Sequence, residues 1–389
     1  MTSWKIYKLS EIANISTGFP FAGEKYAKEG IRVVRGDNVT IGALRWDYDK
    51  LKCWNEPFAR ADEFSLMSGD IVVGMDGSRV GLNRAQVKET DLPLLLAQRV
   101  ACIRQNEKTT QDFLYYQIFS DRFVKYIKQV QTGTSIPHVS LKQIGDFEIS
   151  LPSLEEQRRI AGILSAIDDK IENNRRINDN LEQQAQALFD EWFVNDSTQP
   201  AEYNRASLTD IANYLNGLAM QRFRPKDDEK GIPVLKIKEL GQGSYDSSSD
   251  ICSQSIDSKY IVNDGDIIFS WSGTLLVDIW CGGICGLNQH LFKVTSEKYP
   301  KWFVYHWTKF HLAKFIRIAK DKAVTMGHIK RSDLENSEVL VPGSLLLEKY
   351  DNIMTPIFNA IISNRIENRN LATLRDTLLP KLMNGEIKL

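Results

Sequence analysis

An ordered series of short segments occurs twice along the chain, and this duplication constrains the fold more than any other feature of the sequence. LSEIANISTG, from Leu9 to Gly18, recurs as LTDIANYLNG from Leu208 to Gly217, and GIRVV from Gly30 recurs as GIPVL from Gly231. GDIVVGMDGS from Gly69 returns as GDIIFSWSGT from Gly265. IPHVSLKQIGDFEISLP, Ile136 to Pro152, returns as MGHIKRSDLENSEVLVP, Met326 to Pro342, which sets His138 on His328 and Pro152 on Pro342. The offset drifts from 199 to 190 residues, so insertions and deletions lie inside the globular part of each copy. From His138 onward the copies run without a gap.

Each copy implies the same coarse order. A helix at SEIANI or TDIANY leads into short strands at IRVVRG or IPVLKI, then through a GD turn into an apolar strand, DIVVG or DIIFS. A longer helical segment follows, FLYYQIFSDRFVKYIKQVQ or WFVYHWTKFHLAKFIRIAK, then a polar loop, a strand ending at Pro152 or Pro342, and a long helix. At 389 residues with 42% hydrophobic content, the chain can bury more than one core. NDSTQPAEYN, Asn195 to Asn204, has the composition of a linker.

The first long helix has a heptad seam at Ile160, Leu164, Ile167, Ile171, Asn174, Asn178, Leu181, Ala185, Leu188 and Trp192. The second has Tyr350, Met354, Ile357, Ile361, Asn364, Asn368, Leu371, Arg375, Leu378 and Leu382. Both carry two asparagines at mid-seam. Antiparallel pairing about the midpoints sets Asn174 against Asn368 and Asn178 against Asn364, so that each buried amide meets an amide and fixes register. The same arithmetic opposes Arg375 to Ile167, which requires the arginine to snorkel or to lie at a frayed edge. At ~1.5 Å per residue the first seam spans ~50 Å. The expected fold class is α+β, with two similar mixed α/β globular domains separated by two long helices in an antiparallel coiled coil, an internal repeat with pseudo-twofold symmetry.

LPSLEEQRRIAGILSAIDDKIENNRRINDNLEQQAQALFDEWF, Leu151 to Phe193, closely resembles the central conserved helix of type I restriction-modification specificity subunits. The second long helix resembles the distal conserved helix but lacks the EEQ start. The IAN opening, the GD strand and the loop around TSIPHVS match the recognition domains of that family. The resemblance implies two target recognition domains, residues 1–152 and 205–342, with conserved helices at 153–194 and 343–389 and a linker at 195–204. It implies that each domain reads one half of a bipartite double-stranded DNA target, and that the helices set the spacer and bind two modification subunits. S-adenosylmethionine chemistry then belongs to those subunits, and ATP and Mg to separate restriction subunits. No cofactor, metal or catalysis is expected in this chain. An adaptor that never touches DNA, or a self-contained methyltransferase or nuclease, are the alternatives. The sequence holds no [DNS]PP[YF] motif, no Gly-rich adenosylmethionine loop and no GxxxxGK[ST].

Residues that read base edges or hold phosphates are expected in the polar loops, where the two copies differ. In the first copy these are Arg35, Asp37, Asn38, Ser78, Arg79, Gln98, Arg99, Thr132, Thr134 and Ser135. In the second they are Lys236, Lys238, Ser272, Thr274, Asn288, Gln289, His290, Lys322, Thr325, Lys330 and Arg331. His138 and His328 suit a structural or phosphate-contacting role, since no duplicated nucleophile accompanies them. Cys281, Cys285 and His290 lack a CxxC pair and a fourth ligand, and the two cysteines read as buried small hydrophobes. Formal net charge is −1, distributed as +2 over 1–152, −6 over 153–202, +2 over 203–342 and +1 over 343–389. Two mildly basic blocks around an acidic one are compatible with DNA-facing modules. No signal-like start and no apolar run of bilayer length is present, so a cytoplasmic, membrane-free protein is expected.

Overall fold

The computed structural model describes residues 4–58, 60–133, 135–195, 203–226, 228–321, 327–387 and 389. The chain forms two compact units, Met1–Asp168 with Thr373–Leu389, and Asp169–Ala372. Among the described residues no helix is long and apolar enough to cross a membrane.

The first unit opens with strand β1 (Lys5–Lys8), a one-turn helix α1 (Leu9–Ile12) and β2 (Ala13–Thr17). Short strands follow: β3 (Ile31–Val34), β4 (Cys53–Trp54), β5 (Ile71–Gly74), β6 (Arg84–Gln86), β7 (Leu94–Leu96) and β8 (Val100–Gln105). Helices α2 (Gln111–Ile118), α3 (Asp121–Val130) and α4 (Leu141–Gly145) then lead to β9 (Glu148–Leu151) and the long α5 (Leu154–Phe193). One sheet has the order β2-β8-β5-β6, a second β4-β3-β7, and β1 pairs with β9.

The GD turns have a local cause. Gly69 and Gly265 sit at φ 89° and 84°, a region that favours glycine. The next residue reaches back, so that Asp70 accepts from the Met67 N–H and Asp266 from the Asn263 N–H, each at 2.8 Å. The strand that emerges is apolar on both faces because both faces are covered. Ile71 and Val73 join a core with Leu9, Phe113, Phe123, Phe147 and Ile149, whereas Val72 joins a second core with Val34, Leu94, Leu96 and Val100. The first of these cores also takes Ile160, Leu164, Leu382 and Met383 from the long helices.

In the second unit come β10 (Asn204–Ser207), α6 (Leu208–Ile211), β11 (Asn213–Asn216), β12 (Ile232–Leu235), α7 (Ile237–Gln242), β13 (Ile251–Cys252) and β14 (Ile261–Val262). They are followed by β15 (Asp266–Ser270), β16 (Leu276–Trp280), β17 (Cys285–Leu287), β18 (Leu291–Thr295), α8 (Lys301–Phe310), α9 (Leu312–Asp321), α10 (Arg331–Glu335), β19 (Glu338–Val341) and the long α11 (Ser344–Met383), of which the residues from Thr373 belong to the first unit. Its sheets run β11-β18-β15-β16 and β13-β12-β17-β14, with β10 on β19. This is the first unit's topology with one added strand, and again β15 is shared, Ile267 and Phe269 facing one core and Ile268 another.

Two expectations are corrected. The segment at SEIANI is a single turn of helix flanked by strands, because Lys5–Lys8 pairs antiparallel with Glu148–Leu151 far along the chain. The longer helical segment is two helices in each unit. Ser120 caps α3 by accepting from the Phe123 N–H at 3.3 Å, and His311 ends α8 by donating its N–H to the Trp307 carbonyl.

Candidate nucleic-acid interface

Three loops meet at one end of each unit's shared sheet, held by backbone hydrogen bonds at equivalent positions. In the first unit Met75 N–H donates to Arg99 O (3.0 Å), Gly77 N–H to Pro137 O (2.9 Å) and Val139 N–H to Met75 O (2.9 Å). In the second, Trp271 N–H donates to His290 O (3.4 Å), Gly273 N–H to Gly327 O (3.1 Å) and Ile329 N–H to Trp271 O (3.2 Å). Asp76 bridges to His138 as Ser272 bridges to His328. The parallel strands close the end: Ala97 N–H donates to Val34 O and Asn288 N–H to Leu235 O. Gln98 thus corresponds to Gln289, Arg99 to His290 and Ser78 to Thr274.

The side chains on this common backbone differ. The first unit exposes Ser78, Arg79, Gln98, Arg99, Thr132 and Ser135 together, and Thr132 Oγ1 lies 2.9 Å from His138 Nε2. The second brings Thr274, Gln289 and His290 to the same end, with Ser272 Oγ 3.0 Å from His290 Nδ1 and Trp271 donating to Asn216 Oδ1 at 2.9 Å. Ser272 and Asn288 are buried, and the Asn288 carboxamide oxygen accepts from the His290 N–H. Lys330 and Arg331 are exposed just beyond His328, Arg331 within 3.6 Å of Glu335. Thr134, Lys322 and Thr325 lie outside the described residues.

The loops after β3 and β12 are engaged with their own chain. Asn38 is fully buried, accepting from Arg35 N–H and donating to the Arg45 and Lys50 carbonyls, so its amide shapes the loop. Arg35 donates to Lys50 O at 2.9 Å and covers the Tyr26 ring, while Asp37 is exposed with Lys50 at 3.8 Å. Lys236 is paired with Asp250, and Lys238 donates to Ser248 at 3.0 Å.

In the second unit the long helices run antiparallel through the asparagine layers. Asn174 Nδ2 donates to Asn368 Oδ1 and Asn364 Nδ2 to Asn178 Oδ1, both at 2.9 Å. Asn178 Nδ2 also donates to Ile361 O and Asn368 Nδ2 to Ile171 O, both at 3.2 Å, while Asn174 Nδ2 also donates to Glu367 Oε2 at 2.7 Å. Trp192 stacks on Tyr350 at 3.9 Å between ring centres. In the first unit Arg375 meets a carboxylate instead of snorkelling over Ile167, donating to Asp168 at 2.8 Å.

Sequence periodicity gave no sign of two arginines off the seam. Arg365 bridges Asp278 and Glu182, each at 2.8 Å, and Arg369 holds Asp264 with two bonds of 2.7 and 2.9 Å. Burial pulls the Arg365 guanidinium down, but Asp278 and Glu182 outweigh it and its pKa is raised. For Asp264 burial pushes upward, yet the Arg369 bonds prevail and hold the carboxyl below its ordinary value. Cys281 and Cys285 are buried, and burial pushes their thiols up to about 11 and about 12. Among the described residues no group of His, Cys, Asp and Glu has the arrangement of a metal site.

Residues 1–183 match the family model described as type I restriction modification DNA specificity domain. The type I restriction enzyme MjaIX specificity subunit of Methanocaldococcus jannaschii is 29% identical over 320 residues, covering 76% of this chain and 73% of that one. The HindI specificity subunit of Haemophilus influenzae is 21% identical over 468 residues, covering 100% of both chains. The crystal structure of a type I restriction-modification S subunit from M. genitalium shares the fold, with a TM-score of 0.59 at 17% identity over 98% of this chain and 96% of that one.

Proposed function

The chain belongs to the type I restriction-modification specificity subunits, and from that premise we propose that each unit's loop cluster reads one half of a split double-stranded DNA target. The observation that carries this reading is the paired scaffold: equivalent backbone bonds hold three loops in both units, while the exposed side chains differ. A common frame with different polar groups suits two readers of unlike sequence, because frame contacts position a protein on DNA and side-chain edges discriminate bases.

The paired long helices would set the unread spacer and dock two modification subunits. Ile163 and Ile353 occupy equivalent places on the two helices, one in each unit, and are 37% and 48% exposed. A repeated apolar residue left uncovered by its own chain supports one docking face per unit. S-adenosylmethionine would sit in the modification subunits, ATP and Mg in the restriction subunits, and this chain would contribute recognition without catalysis.

Selection from randomised duplex DNA, using the chain bound to its modification subunits, tests the proposal. The expected winners carry two constant blocks separated by an unselected run of fixed length. Enrichment of a single continuous block, or none, would contradict it.

A further inference from the structure

We infer that the pair Asp76–Arg99 reads a guanine in the half-site bound by the first unit, and that Ser272–His290 in its place makes the second half-site differ at that position. The inference rests on the DNA-reading function proposed above and assigns one base contact within it.

Arg99 lies at the meeting point of the three loops, where its carbonyl accepts from Met75 N–H. Its guanidinium is mostly exposed and touches the protein through one nitrogen, Nη1, 3.4 Å from Asp76 Oδ1. Nε and Nη2 have no partner among the described residues. A guanidinium steadied at one corner keeps an edge of two parallel donors, the fork that matches O6 and N7 of guanine in the major groove.

The backbone points the same way. Arg99 has φ 69°, a left-handed conformation unusual for a residue with a Cβ. The only other such residue among those described is Arg60, whose guanidinium is clasped bidentately by Glu63. A strained backbone carrying an open side chain at a ligand-facing loop is where positioning for a ligand is expected. The equivalent His290 has no such φ.

Asp76 separates a base contact from a phosphate contact. A carboxylate beside a phosphate would repel it, whereas beside a base edge it orients the arginine and accepts from an amino group. The neighbouring Arg79, exposed on the same loop, suits the phosphate. In the second unit the imidazole is turned by Ser272 at Nδ1, and Nε2 lies 3.3 Å from Gln289 Nε2. A single ring nitrogen cannot form the two-pronged grip, so the substitution changes the kind of contact.

The test is methylation mapping in cells carrying the wild-type chain or a variant together with its modification subunit. The wild type should show guanine at one position of one half-site. Arg99→Gly, which suits the φ and should therefore leave the unfolding temperature unreduced, should make that position degenerate while every other base stays fixed. It should weaken binding to the wild-type duplex by roughly 5- to 150-fold. Asp76→Ser with Arg99→His should impose at that position the preference found at the equivalent place of the other half. An unchanged motif with uniformly weaker, less salt-sensitive binding would overturn the inference in favour of a phosphate contact. So would an unchanged motif with unchanged binding. A wild-type complex that gives no split motif would instead remove the DNA-reading function on which the inference rests.

Discussion

His306 illustrates how much one buried side chain can control. It is 4% exposed, stacks on Phe189 and shares its Nδ1 proton with the Trp302 carbonyl at 2.7 Å. Burial lowers its pKa from 6.5 to about 4. A histidine whose folded pKa is depressed takes up a proton more readily when unfolded. Its neutral form therefore stabilises the fold fully above 6.5, and that stability is lost as pH falls towards 4. Between pH 7 and pH 5 the second unit should lose about 2 kcal/mol from this residue. His311, also lowered chiefly by burial, adds in the same sense. Denaturant titrations at the two pH values should show the loss, and His306→Phe should flatten it. An equal slope in the variant would assign the pH dependence elsewhere. None of this was visible in the sequence, where His306 is one polar residue in an aromatic run. Asn38 likewise reads as a base contact from its type alone, and only its three hydrogen bonds reveal a loop-shaping role.

The long helices show what periodicity can and cannot carry. Heptad steps are local and additive, so residue type and spacing alone brought Asn174 to Asn368 and Asn178 to Asn364. Arg365 and Arg369 also hold Asp278 and Asp264, in a strand and a turn that no helical count reaches. Strand β1 stayed hidden for a related reason: KIYK pairs with residues some 140 positions away, and its own alternation is weak. The asparagine layers make a quantitative prediction. Asn174→Leu alone leaves Asn368 without its amide partner and should cost roughly 1 to 3 kcal/mol of unfolding free energy. Adding Asn368→Leu should recover most of that, since two apolar groups can replace a hydrogen-bonded pair at little net cost. If the double variant is less stable than the single one, measured by urea unfolding, the amide pair does not act as a unit. Arg369→Met should be worse still for the second unit, because Asp264, partly buried, would lose both of its charged contacts.

For the whole molecule, the duplication supports the proposed paired function. With Ile163 and Ile353 exposed at equivalent points, native mass spectrometry of the saturated complex should show two modification subunits per chain. Ile163→Glu and Ile353→Glu should each remove one of them, and a stable one-to-one complex in the wild type would contradict two docking faces. The proposed reading of two separate DNA half-sites by two loop clusters on one chain requires a split methylation motif. Single-molecule mapping of adenine methylation in a genome carrying this chain with its modification subunit tests it most directly. The expected result is one asymmetric motif, two fixed blocks of different sequence flanking a spacer of constant length and no base preference. A continuous motif, or methylation without sequence preference, would contradict it.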